Sequence, residues 1–167
     1  MVFQITGDAD NNRILDNVLL GVNTTGSSGN LIVIYSTNNS VDNTTISGNT
    51  ITDGAYAVYL VGVNTTTLSN GTTITNNTFS NQGYCYVFLQ SQNTAKVNGN
   101  TGSGTSTSRG IELQYCNGAL QVQKNKFSVG TQYGIYLYYC DGGNGLPTPR
   151  GNISNNMVQV GSAGGVY

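Results

Sequence analysis

Branched apolar residues and asparagines follow one another along this chain in a fixed phrase. An apolar residue leads by three positions to Asn and by five to a second apolar residue, as in ISGNTI (46–51), ITNNTF (74–79), VQKNKF (122–127) and ISNNMV (153–158). Aligned on it, Ile14, Ile46, Ile74, Val97, Val122 and Ile153 lead to Asn17, Asn49, Asn77, Asn100, Asn125 and Asn156, at steps of 32, 28, 23, 25 and 31 residues. The second apolar position holds Leu19, Ile51, Phe79, Phe127 and Val158, and Gly102 is the exception. Short alternating runs on both sides of each Asn predict two short strands that meet at a bend.

A second phrase, apolar-x-apolar, follows each first one: Ile32/Ile34, Val58/Leu60, Val87/Leu89, Ile111/Leu113, Ile135/Leu137 and, at the end, Val166. Its distance from the Asn is 15 residues in the first unit and then 9, 10, 11, 10 and 10, whereas the other connection ranges from 8 to 16. One corner is thus fixed by geometry and the other is a loop free to vary. A period of 23 to 32 residues built of short strands, with no helical segment, predicts an all-β parallel solenoid of about six coils, a single domain over 1–167. Equivalent strands would pair one coil apart, at ~4.8 Å. A leucine-rich repeat would need Leu-x-x-Leu-x-Leu, which is missing. The six asparagines are expected to point inward as a structural ladder, each amide satisfying backbone groups at the bend and donating to the next coil.

Composition supports the strands. Asn, Thr, Ser and Gly crowd the chain, 8% of residues are charged, and Trp and His are absent. Few good helix formers remain. A net charge of −1, with no block of Lys or Arg, argues against a nucleic acid or anionic membrane as partner. No apolar run approaches the ~20 residues of a membrane span. The start lacks the pattern of a signal peptide, so the expected extracellular or cell-surface location would need a signal outside this chain. Three cysteines without C-x-x-C spacing fit neither a metal knuckle nor a disulfide framework. No cofactor is expected.

The four quoted phrases, together with GIELQYC and GIYLYYC, resemble the right-handed parallel β-helix repeat family, the pectate-lyase-like superfamily, including the repeat type of periplasmic copper-related and carbohydrate-binding proteins. The resemblance covers essentially the whole chain and implies right-handed coiling. It also implies possible chemistry: members include lyases that hold calcium with clustered acids and use Arg or Lys as base, hydrolases with paired Asp, tail spikes and adhesins. Here Asp8, Asp10, Asp16, Asp42, Asp53, Glu112 and Asp141 are spread over the coils with no two in one outward row. The carboxylate pair of glycoside hydrolysis is therefore not visible. Secondary catalytic candidates are Glu112 and Arg109, three residues apart. Secondary metal candidates are Asp8, Asp10 and Asn12 of DADNNR, which open like a calcium loop, although Arg13 replaces the turn glycine and no Glu closes it.

Outward positions of the second phrase are richer. Its middle residues read Val33, Tyr59, Phe88, Glu112, Tyr136 and Tyr167; two residues before its first apolar position stand Asn30, Tyr56, Cys85, Arg109, Tyr133 and Gly164. Tyr56, Tyr59, Phe88, Arg109, Glu112, Tyr133 and Tyr136 are thus a candidate binding strip, suited to the flat faces of sugars. Variable loops folding over the strip would bury it instead. Cys116 and Cys140 occupy equivalent places and should stack one coil apart, as a disulfide or as free thiols. The chain opens in MVFQI, where Phe3 and Ile5 fit a second-phrase strand, and stops within another. Lacking polar caps, it reads as a fragment or uncapped module that would associate end to end as a homo-oligomer. Three functions remain in view: a non-catalytic module that binds polysaccharide or is displayed against it, from a larger extracellular protein; a polysaccharide lyase or glycoside hydrolase; and a structural rod of an adhesin or tail spike.

Overall fold

The computed structural model describes residues 1–140 and 150–161. Asp141, Gly164, Val166 and Tyr167 lie outside the described residues. The long strands form three parallel six-stranded sheets. Sheet I holds Arg13–Leu15, Thr45–Ser47, Thr73–Thr75, Lys96–Asn98, Gln121–Gln123 and Asn152–Ser154. Sheet II holds Val18–Leu20, Thr50–Thr52, Thr78–Ser80, Thr101–Ser103, Lys126–Val129 and Met157–Val160. Sheet III holds Phe3–Gln4, Ile32–Ser36, Tyr56–Val61, Cys85–Gln90, Arg109–Gln114 and Tyr133–Tyr138.

The chain runs through sheets I, II and III in that order and then repeats, pairing each strand with its equivalents in the neighbouring coils. This is an all-β parallel solenoid. Complete coils run from Arg13 to Tyr138, five in number, with a partial coil on either side. The expected six is slightly too many, because the last set of strands has no described partner on sheet III. No helix among the described residues is long and apolar enough to cross a membrane.

The bend between sheets I and II is set by two adjacent residues. The first is left-handed in every coil: Asp16 (φ 56°), Gly48 (70°), Asn76 (55°), Gly99 (68°), Lys124 (56°) and Asn155 (57°). Asp, Asn and Gly tolerate that conformation far better than branched residues do, which accounts for five of the six choices. The second is the Asn, whose amide turns inward. Asn49 Nδ2 donates to Asn77 Oδ1 at 3.0 Å and to the Ile14 carbonyl at 2.8 Å, and its backbone N–H donates to the same Asn77 Oδ1 at 3.0 Å. Asn77, Asn100 and Asn125 repeat this set toward Asn100, Asn125 and Asn156. Asn17 enters it at Asn49. Four of these amides are buried, and every polar atom in them is engaged.

Apolar residues fill the rod in stacks along its axis. Ile14, Ile46, Ile74, Val97 and Val122 face inward from sheet I. Ile34, Val58, Val87, Ile111 and Ile135 pair residue for residue on sheet III. Gly102 breaks the inward row of sheet II for a packing reason. Tyr86, entering from sheet III, lies stacked between Phe79 (5.7 Å between ring centroids) and Phe127 (5.4 Å), and its hydroxyl donates to the Ser128 carbonyl at 2.8 Å.

The first coil departs from the register expected above. Ile34 pairs with Val58 and Tyr35 with Tyr59, so its apolar phrase is Ile34-Tyr35-Ser36 rather than Ile32/Ile34. The outward residue is Tyr35; Val33 is buried, and Ile32 rather than Asn30 pairs with Tyr56. Consecutive apolar residues in LIVIY leave the phase of the alternation undefined, and pairing with the next coil decides it.

Candidate functional site

Sheet III presents two outward rows. Tyr35, Tyr59, Phe88, Glu112 and Tyr136 lie in register, and beside them Ile32, Tyr56, Cys85, Arg109 and Tyr133. Alternation along each strand turns these side chains away from the apolar stacks, and parallel pairing brings equivalents close enough for rings to touch.

The rings spend their faces on one another. Tyr59 is stacked between Tyr35 (5.8 Å, 20°) and Phe88 (4.6 Å, 9°), while Tyr56 sets its edge against both Tyr59 (5.1 Å) and Phe88 (6.1 Å). Phe88 and Glu112 are therefore buried, 7% and 2% exposed, and Tyr56, Tyr59, Tyr133 and Tyr136 are half-buried. The strip is not the open shelf of ring faces that the sequence suggested; it offers ring edges and phenol hydroxyls. Tyr84, which packs on Tyr56 at 5.2 Å, also belongs to it.

Arg109 and Glu112 sit in the middle. The guanidinium Nη1 stands 2.6 Å from Glu112 Oε2, and Arg109 Nε donates to Gln132 Oε1 at 2.9 Å. Gln114 Nε2 donates to Glu112 Oε1 at 2.7 Å. No donor is aligned as a hydrogen bond on Oε2, but at that distance the guanidinium charge satisfies it. The cation also lies over the rings of Tyr84, Tyr136 and Tyr133 at 5.1, 5.3 and 5.5 Å. Burial works against its charge, yet the bond to Glu112 raises its pKa. The carboxylate and the cation neutralise each other, so neither is a free acid, base or anion hook.

Tyrosines around the pair hold their protons. Burial, then Cys85, pushes Tyr56 far above the ordinary phenol range. Burial likewise raises Tyr59, with Tyr35 and Glu112 adding to it. Tyr84 is raised by burial against the pull of Arg109. Cys85 is fully enclosed, and burial followed by Glu112 keeps it a thiol.

A cleft of about 360 Å³ opens where the strip meets the 3-10 turn Gly29–Leu31. Ser27, Gly29 and Asn30 form one wall; Ile32, Tyr35, Tyr56 and Tyr59 form the other. Its polar groups are hydroxyls and an amide, and it contains no charged side chain. Sequence reasoning missed Tyr35, because of the shifted phase in the first coil, and placed Asn30 on the strand rather than on the facing wall. Tyr133 and Tyr136 lie beyond the Arg109–Glu112 pair, away from this cleft. On the other side of the rod, depressions of about 350 and 670 Å³ cross sheet II, lined mainly by Thr, Ser and Gly, with Lys126, Met157, Gln159, Asn81 and Val129. Their only aromatic members, Phe79 and Phe127, are buried.

Asp8, Asp10 and Asn12 serve the backbone. Asp8 Oδ1 accepts the Ser40 N–H and Asp10 Oδ1 the Asp42 N–H, each at 2.8 Å and one coil along. Asn12 Nδ2 donates to the Ala9 carbonyl and to Thr44 Oγ1. The three side chains thus cap different groups instead of converging. Among the described residues no three of His, Cys, Asp and Glu gather as a metal-ligand set. Cys85, Cys116 and Cys140 are free of disulfides.

A family model described as periplasmic copper-binding protein (NosD) matches residues 5–165. No curated protein and no solved structure matches the chain.

Proposed function

The chain belongs to the NosD family of periplasmic β-helix proteins, and from that premise we propose that it is a non-catalytic β-helix module, working outside the cytoplasm, that binds a neutral glycan in the cleft of Tyr35, Tyr56 and Tyr59. The observation that carries this reading is the lining of the cleft. Phenol hydroxyls, the Asn30 amide and the Ser27 hydroxyl can donate to and accept from sugar hydroxyls, while tyrosine edges and Ile32 supply apolar contact. Burial raises the pKa of Tyr56 and Tyr59, which leaves both as neutral donors. Arg109 is the one cation of the strip and is already held by Glu112, which favours neutral sugars over uronates. The asparagines at the bend are assigned a structural part, a ladder that holds the turn, and not a share in binding.

Among the described residues Glu112 is engaged and has no second carboxylate beside it, which gives little support to the lyase or hydrolase reading. The family description names copper. Copper(II) is served by imidazole and other nitrogen or oxygen donors in a tetragonal set, and this chain has no His. Among the described residues, the adjacent thiols of Cys116 and Cys140 suit the reduced ion.

A glycan array followed by calorimetry tests the proposal. Neutral oligosaccharides should bind and uronate polymers should not, with affinity lost in Tyr59→Ala and kept in Tyr136→Ala. Absence of any glycan binding, or binding untouched by Tyr59→Ala, would favour the structural rod.

A further inference from the structure

The corner that follows sheet III carries its own stacked side chains, which the glycan cleft does not use. There a residue of positive φ precedes a side chain that donates to the carbonyl two residues back. Asn38 (φ 56°) precedes Asn39, whose Nδ2 donates to the Thr37 carbonyl at 2.7 Å. Ser91 (56°) precedes Gln92, whose Nε2 donates to the Gln90 carbonyl at 3.1 Å. In the last two coils Tyr115 (51°) and Tyr139 (47°) precede Cys116 and Cys140.

Those two thiols are poor replacements for amides. Cys116 Sγ lies 3.4 Å from the Gln114 carbonyl and 3.6 Å from that of Leu89; Cys140 Sγ lies 3.6 Å from the Tyr138 carbonyl and 3.3 Å from that of Leu113. An amide nitrogen can serve two such acceptors, whereas a thiol has one weak donor. Capping therefore does not explain the cysteines. Register sets them side by side, since Gln114 pairs with Tyr138 two residues before each. A cavity of about 210 Å³ opens onto both, walled by Gly118, Leu120, Leu137, Gly151 and Ile153. Among the described residues it brings no carboxylate or amine side chain to compete.

We propose that Cys116 and Cys140 together form a two-thiolate binding site for a soft monovalent cation, copper(I). Thiolate sulfur selects that ion over hard cations. Structural zinc and iron–sulfur clusters need four donors, and among the described residues no third gathers here. On binding, two sulfur–copper bonds form, the S–H bonds of the two cysteines break, and the protons leave to solvent. No electron is transferred. One copper(I) held by two thiolates carries one net negative charge, half of what the bare pair of thiolates would bring to the apolar walls.

The reduced chain, kept under argon at about pH 8, is titrated with copper(I) in competition with a chromophoric chelator, and alkylation by iodoacetamide is then mapped residue by residue. We expect one equivalent withdrawn per chain and Cys140 protected from alkylation in the native wild-type protein. Cys116→Ser and Cys140→Ser should each abolish the withdrawal, and Cys85→Ser should leave it intact. Because protection is read on the wild-type chain, a variant that fails to fold does not blunt the test. Alkylation of Cys140 unaffected by one equivalent of copper(I), or equal withdrawal by the chain and its Cys116→Ser/Cys140→Ser form, overturns the proposal. The result is independent of glycan binding.

Discussion

The ring of Tyr86 fills the space that a side chain at Gly102 would claim. A Cβ added at Gly102 would stand 2.7 Å from Tyr86 Cε2 and 2.9 Å from Phe127 Cδ1. The one missing apolar residue in the inward row of sheet II is thus made up by an aromatic residue that reaches across the rod from sheet III.

Gly102→Ala should destabilise the fold by ~1–3 kcal/mol, since ring atoms on two sides must move to admit one methyl group. Tyr86→Phe keeps the ring and removes the hydroxyl with its bond to the Ser128 carbonyl, at a cost of ~1 kcal/mol. Urea unfolding of the three proteins checks the order. A Gly102→Ala protein as stable as the parent would mean that the Phe79–Tyr86–Phe127 stack is loosely packed.

The bend makes a second prediction. Asn100 Oδ1 accepts two N–H donors from Asn77, and its Nδ2 donates to Ile74 and Asn125. Asn100→Leu leaves buried groups unpaired in two coils and should cost ~3 kcal/mol, well above the cost at half-buried Asn17 on the margin of the row. Equal losses at the two positions in chemical denaturation would show that the amides do not act as a connected row.

Much of this architecture is legible from residue spacing, because a stacked fold repeats its constraints in every coil. Asn at a constant offset marks the bend, and Asp, Gly or Asn before it supplies the left-handed residue. Lys124 hides that signal in one coil. Phase is lost where several apolar residues run together, as in LIVIY, and that one slip concealed Tyr35 and misplaced Asn30. Whether a ring shows its face or gives it to a neighbour depends on side-chain angles that alternation does not encode, so Phe88 read as exposed and is buried. Tyr86 was silent for a similar reason: only the gap at Gly102 explains its inward turn.

Glu112→Gln should change selectivity as well as stability. Without the carboxylate, Arg109 keeps its contacts to Tyr84, Tyr133 and Tyr136 but loses its counter-charge. Stability should fall by ~1–3 kcal/mol, discounted for the partial exposure of the guanidinium. The freed cation should then attract uronate oligosaccharides, which the parent chain is expected not to bind. Calorimetry with a neutral and an acidic sugar reads both effects; unchanged discrimination would detach Arg109 from the binding surface.

Alkaline pH should unfold the rod through its buried phenols. Tyr86 is pushed up to about 12, chiefly by burial, and Tyr56, Tyr59 and Tyr84 are raised for the same leading cause. In the unfolded chain each ionises near the usual phenol value of ~10. Above that pH the unfolded state has released protons that the folded state keeps, so stability declines as pH rises. The contribution is complete below pH ~10 and is lost progressively toward the folded value of Tyr86, about 12. Urea midpoints between pH 8 and 11.5 should fall only in the upper part of that range, and the phenolate absorbance of these four residues should appear together with unfolding. Tyr86→Phe should flatten the decline, because it removes one of the titrating groups while leaving its ring between Phe79 and Phe127. Phenolate absorbance from these four residues in a chain that stays folded would mean that solvent already reaches those hydroxyls.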